Sequence, residues 1–75
     1  MTHYGKLKKA FIDLPVGARF TRNELMESAQ VGPDAAKTAS AVIGTQVKMD
    51  LAIQDGKKGR YVVYKKLANP RSMTQ

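Results

Sequence analysis

The 75-residue chain predicts an α+β domain in which three helices are joined to a small antiparallel β-sheet built on a hairpin. Apolar residues recur at helical spacing near the start, in Tyr4, Leu7, Phe11 and Leu14. Thr21 and Glu24 form a capping-box pair ahead of a second apolar pattern. Near the end, two β-rich runs flank the glycine-bracketed stretch Asp55-Gly56-Lys57-Lys58-Gly59.

The first helix is expected from about His3 to Leu14, with Tyr4, Leu7, Phe11 and Leu14 facing the core and Lys6, Lys9 and Asp13 elsewhere on its surface. Pro15 and Gly17 end it. Its apolar side is taken up by packing, which favours a support helix over a membrane-surface helix or an aromatic stacking platform.

The second helix begins at Arg22, because the Thr21 hydroxyl can accept from the Glu24 amide while the Glu24 carboxylate accepts from the Thr21 amide. Leu25, Met26 and Ala29 give it an apolar side, and Glu24, Glu27 and Ser28 face water. Val31-Gly32-Pro33-Asp34 interrupts it: glycine suits a helix exit, proline a first helical position, and aspartate a helix N-terminus.

A third helix is expected from Pro33 to Lys48. At about 100° per residue, Ala36, Ala39, Val42, Ile43, Gln46 and Val47 share one side. Asp34, Lys37, Ala41, Gly44, Thr45 and Lys48 share the other. That outward face is basic and carries few long side chains, which suits close approach to the wall of a DNA major groove. An ordinary solvated alanine-rich face, or a helix-packing face in a dimer, accounts for the same pattern.

Met49 to Gln54 and Arg60 to Lys66 then read as two strands, with the glycines of residues 55–59 supplying positive φ at the reversal. Lys57, Lys58 and Arg60 place three cations within four positions at the expected tip. Either Tyr61 and Val63 or Val62 and Tyr64 face inward, since a one-residue shift exchanges the two sets; Val62 and Tyr64 are the preferred pair. The domain spans residues 1–67, and residues 68–75, which contain Pro70 and no periodic pattern, read as a loose tail.

This order of elements resembles the winged helix-turn-helix family, in its small single-domain prokaryotic or phage form, over about Tyr4 to Lys66. The resemblance implies a short strand at Ala18 to Thr21 that joins the hairpin in a three-stranded sheet and sends Phe20 into the core. It also implies that the third helix enters the DNA major groove through Lys37, Thr38, Ala41, Thr45 and Lys48. Lys57, Lys58 and Arg60 then contact the adjacent backbone or minor groove from the wing. The match is one of pattern rather than of diagnostic residues, and the 31–51 segment is slightly longer than usual.

Composition narrows the function classes. A chain this short holds one domain near the lower limit for a self-sufficient core, and without cysteine it has neither a disulfide nor a thiolate zinc site. A homodimer is therefore a candidate assembly. The net charge of +7 is uneven: residues 31–66 hold seven cations against three carboxylates, while residues 1–30 hold five against three. Such a balance favours polyanionic partners, nucleic acid first, with acidic proteins and anionic membrane surfaces attracted by the same physics. No signal-peptide pattern or run of about 18 apolar residues is present, so the expected location is the cytoplasm, associated with the nucleoid.

Catalysis is not expected. His3 is the single histidine, and the carboxylates are accounted for by a cap, a helix start, a turn and surface positions. Gly56-Lys57 lacks the earlier glycine and following hydroxyl of a phosphate-binding loop. No catalytic, cofactor or metal site is therefore assigned. The expected activity is binding of double-stranded DNA in transcription regulation or nucleoid organisation, with Arg60 suited to the narrow minor groove of A·T-rich DNA. Alternatives are a phage or plasmid interaction module that binds RNA polymerase or another DNA-binding protein, and recognition of structured RNA.

Overall fold

In a computed structural model of the chain, which describes residues 2–69, the elements run α1 (His3–Asp13), β1 (Arg19–Thr21), α2 (Arg22–Ala29), a 3-10 turn (Pro33–Ala35), α3 (Ala36–Lys48), β2 (Ala52–Lys58) and β3 (Tyr61–Lys66). β3 is the central strand of the antiparallel sheet, paired with β1 on one side and β2 on the other. Three helices and a three-stranded antiparallel sheet make the α+β arrangement expected from the sequence, and it is compatible with a winged helix. Of the tail expected over residues 68–75, residues 70–75 lie outside the described residues, and the Ala68 amide donates to Leu51 O at 3.3 Å.

Thr2 caps α1 by accepting from the Gly5 amide at 3.1 Å. The buried side of α1 is carried by Leu7, Ala10 and Phe11, with Leu14 packed at its edge. Tyr4 does not join them. It is 46% exposed, because a stripe centred on Leu7, Ala10 and Phe11 leaves a residue one turn earlier at its margin.

The capping box forms as expected: the Thr21 amide donates to Glu24 Oε1 at 2.9 Å, and the Glu24 amide donates to Thr21 Oγ1 at 3.2 Å. Leu25, Met26 and Ala29 are buried. The helix exit differs from the expected glycine-based one. Gln30 takes the left-handed conformation (φ 59°, ψ 45°), while Gly32 is extended (φ −89°, ψ −178°). The Gln30 amide donates to Glu27 O and the Val31 amide to Met26 O, so two carbonyls of the last turn are satisfied.

α3 repeats that closure. Asp50 is left-handed at φ 62°, its amide donates to Val47 O, and the Leu51 amide donates to Gln46 O. The segment expected as one helix from Pro33 is divided: Pro33–Ala35 is 3-10, and the α-helix starts at Ala36. The expected apolar side of α3 is the one that packs, with Ala39, Val42, Ile43 and Gln46 buried and Ala36 and Val47 at its edges.

The hairpin reverses later than expected, with the pairs Lys57↔Val62 and Lys58↔Tyr61 beyond Gln54. Strand β2 continues through Lys58, so the loop is Gly59-Arg60, with Gly59 at φ 63°. Glycine at the first position of a two-residue loop meets the positive φ such a loop needs. Asp55 and Gly56, expected in the turn, instead form a β-bulge opposite Val63, between the pairs Gln54↔Tyr64 and Lys57↔Val62. Residues 55–63 lie between Gln54 and Tyr64. Removing the two loop residues leaves an odd number to be paired, so one must be supernumerary. Gly56, at φ 99°, absorbs it.

The core runs from helices to sheet through aromatic rings. Phe11 of α1 meets Phe20 of β1 edge-on at 5.9 Å, and Phe20 meets Tyr64 of β3 at 5.8 Å. Phe20 is buried and Tyr64 packs against the core, which resolves the hairpin register in favour of Val62 and Tyr64.

Lys66, counted above among the charges of the basic half, has no exposed surface. Its Nζ donates to Phe11 O at 2.7 Å, Ile12 O at 2.8 Å and Leu14 O, and stands 5.0 Å from the centre of the Phe11 ring. The last carbonyls of a helix have no intrahelical donors, and here an ammonium from the sheet supplies them. Burial lowers its pKa from the ordinary 10.5, with Asp13 opposing the change.

Two stability predictions follow from these contacts. Gln30→Gly, which removes the Cβ penalty of a left-handed residue, should stabilise the fold by about 0.5–1 kcal/mol in urea unfolding. Lys66→Met should destabilise it by about 2–4 kcal/mol, since the Ile12 and Leu14 carbonyls lose their donor and Phe11 O keeps only the Leu14 amide. Because the unfolded chain keeps the Lys66 proton up to 10.5 while the folded chain releases it earlier, the stability of the native protein relative to Lys66→Met should rise with pH across that interval.

Candidate functional site

α3 and the hairpin stand as two walls of an open cleft of about 400 Å³. Ser40, Gly44 and Val47 line it from α3, and Gln54, Val62 and Tyr64 from the sheet. Arg60, in the hairpin loop, borders one side, and Arg22, the first residue of α2, borders it with Ser40. The Arg22 Nη1 donates to Ser40 Oγ at 3.1 Å, a bond that joins α2 to α3. Among the described residues, no aspartate or glutamate lines the cleft.

The positions expected on α3 lie outside this lining. Lys37, Ala41, Thr45 and Lys48 are exposed, and Thr38 is half-buried. They form the outward surface of the helix beside the cleft rather than its wall. The Thr45 hydroxyl donates to Ala41 O at 2.9 Å, which leaves its lone pairs as acceptors. Gly44 joins that surface to the cleft. A Cβ built there meets nothing within 4 Å, so no neighbour requires glycine at this position.

The wing cations divide. Arg60 is at the loop and borders the cleft, whereas Lys57 and Lys58 are on β2 opposite Val62 and Tyr61 and do not line it. The three-cation tip expected from the sequence is thus one arginine followed down the strand by two lysines. Lys58 borders a second hollow with Thr21 and Asn23 at the start of α2, and the exposed Tyr61 lines both that hollow and the cleft.

Ion pairing separates the arginines among the described residues. Arg19 of β1 donates through Nε to Asp55 Oδ2 at 2.8 Å, and that hydrogen bond holds the Asp55 carboxyl below its usual range and raises the Arg19 pKa. Asp55 is thereby matched within the sheet. Arg22 and Arg60 form no ion pair among the described residues; nor do Lys37, Lys48, Lys57 and Lys58. His3 lies 4.0 Å from Asp34 at the surface. No group of three or more His, Cys, Asp or Glu side chains able to hold a metal converges among the described residues, and none of their helices is long and apolar enough to cross a membrane.

Arg22 and Ser40 were not among the sequence-derived site positions. The four-residue spacing of Ser40 from Gly44 puts them on one helix side, but the approach of Arg22 from α2 depends on how the two helices pack.

The fold and the cleft define a small α+β protein with a basic concave surface between its third helix and its hairpin. No family model matches the chain, and no curated protein matches it in sequence. A solved structure described as "SCCmec type IV LP1413 - nucleic acids binding protein" matches 96% of this chain and 95% of that chain, with a TM-score of 0.60 and 20% identity. At that identity the likeness is one of fold.

Gly44→Gln tests whether glycine serves the fold. Since a helix-interior glycine costs about 0.5–1 kcal/mol and no neighbour crowds the site, this variant should melt at a higher temperature than the native protein.

Proposed function

We propose that the chain is a winged helix-turn-helix protein that binds double-stranded DNA and acts in transcription regulation or nucleoid organisation. α3 enters the major groove through Lys37, Thr38, Ala41, Thr45 and Lys48, and the wing residues Lys57, Lys58 and Arg60 neutralise the adjacent backbone or minor groove. The observation that carries this reading is adjacency: the outward face of α3 meets, at Gly44, a cleft that the loop arginine borders and that no aspartate or glutamate of the described residues lines. A neighbour of the same fold described as a nucleic acids binding protein supports the ligand class. In this reading Arg60, beside Gly59 at the hairpin loop, favours the negative potential of a narrow A·T-rich minor groove, and a homodimer would span two half-sites.

The small outward residues Ala41 and Gly44 bring α3 close to the groove wall, as long side chains there would not. Thr38 offers its hydroxyl to base edges or phosphates, and Thr45, whose proton goes to Ala41 O, offers its lone pairs to donors on base edges. The lysines at either end of that surface supply sequence-independent attraction.

Binding should be measured on A·T-rich duplex, G·C-rich duplex and RNA over a salt series. With about six phosphates neutralised, log affinity should fall against log salt with a slope near −5, and Lys57→Gln or Lys58→Gln should flatten it by about one. Gly44→Gln, although more stable, should bind duplex more weakly. Absence of duplex binding at low salt, together with a copurifying polymerase or DNA-binding protein, would replace this reading with the interaction-module one.

A further inference from the structure

We infer that the cleft is a seat for one phosphodiester strand, gripped by Arg22 from the helical wall and Arg60 from the hairpin wall, with Ser40 as the residue that aims Arg22. This assignment rests on the DNA-binding reading and names the ligand and residues of a site beside the outward face of α3.

Arg19, Arg22 and Arg60 are the arginines of the described residues, and they have different fates. Arg19 is matched by Asp55 at 2.8 Å. Arg22 and Arg60 are without a carboxylate partner among the described residues and border the same cleft. The nearest acid in sequence to Arg22, Glu24, is committed to the Thr21 amide at 2.9 Å. Two unmatched guanidinium groups beside one concavity repel each other, and an anion lying between them removes that repulsion while accepting hydrogen bonds from both.

The remaining lining suits a strand rather than a free ion. Gln54 and Tyr64 present polar groups along the sheet wall, Ile43, Val47 and Val62 give apolar surface against which a deoxyribose can lie, and Gly44 leaves the helix wall low. The cleft is open rather than enclosed, so a chain can pass through it. Ser40 has a distinct part. Its hydroxyl accepts from Nη1 of Arg22 at 3.1 Å and fixes the direction of a long side chain that is otherwise free to rotate in solvent. Its oxygen takes only one of the five guanidinium N–H donors, so the rest are available to a phosphate.

Affinity for a 20-base-pair duplex across a salt series tests the assignment. Arg22→Gln and Arg60→Gln should each reduce the salt slope by about 0.9 and the double variant by about twice that, as loss of one and two phosphate contacts requires. Ser40→Ala carries no charge change. It should weaken binding roughly three- to ten-fold with slope and melting temperature unchanged, and Ser40→Thr should restore affinity. A merely structural Ser40 would lower the melting temperature instead. If duplex binds but Arg22→Gln leaves the slope unaltered, the seat is refuted while the DNA-binding reading stands. If native protein binds no duplex at about 50 mM salt, where phosphate contacts are strongest, both fall together.

Discussion

The ammonium of Lys66 is the contact on which the relation between helices and sheet depends. It sits with no exposed surface among three carbonyls at the end of α1 and beside the Phe11 ring. An unpaired buried cation is strongly destabilising, so the chain tolerates this one because the helix end presents several acceptors together. The backbone of the same residue is also engaged: Lys66 N donates to Ala18 O at 2.9 Å, and Gly17 N donates to Lys66 O at 2.8 Å. One residue therefore fixes the start of the β1 edge, the end of the central strand and the exit of the first helix.

That anchor is at one end of β3, and the hairpin loop is at the other. A six-residue strand spans about 20 Å, so the position of Arg60 relative to α3 follows from how firmly the far end is held. Between these ends the Phe11, Phe20 and Tyr64 rings set the separation of α1 from the sheet. The closures at Gln30 and Asp50 set where α2 and α3 stop, and the Leu51 carbonyl then accepts from both Leu67 and Ala68. The cleft is thus a product of supports lying outside it. Its own lining contributes the bond between Arg22 and Ser40.

Local signals in the sequence were sufficient where one short stretch decides the outcome. The capping box at Thr21 and Glu24 and the buried side of α3 have near neighbours or a clear period behind them, whereas the insertion of Phe20 came from the resemblance in element order, its short strand having no period of its own. Features that depend on distant partners were not legible. Lys66 reads as a surface cation until α1 is placed against it, and Tyr4 reads as core until the stripe of α1 is centred. The bulge at Asp55 and Gly56 mimics a turn because both use glycine at positive φ; only the count of residues between fixed pairs distinguishes them. For the same reason the outward residues of α3 could be named from its period, whereas the pairing of Arg22 with Ser40 required the packing of one helix on the next.

The extra residue opposite Val63 has a consequence for how such an arm can vary over generations. Because the bulge absorbs an odd count, a single insertion or deletion in β2 can be taken up there without moving Tyr64 or Lys66 from their places. The outer portion of the hairpin can then lengthen, shorten or re-aim its basic side chains while the anchored portion stays in register. The shape of the tip and foldability are in this way free to drift separately along the same ribbon.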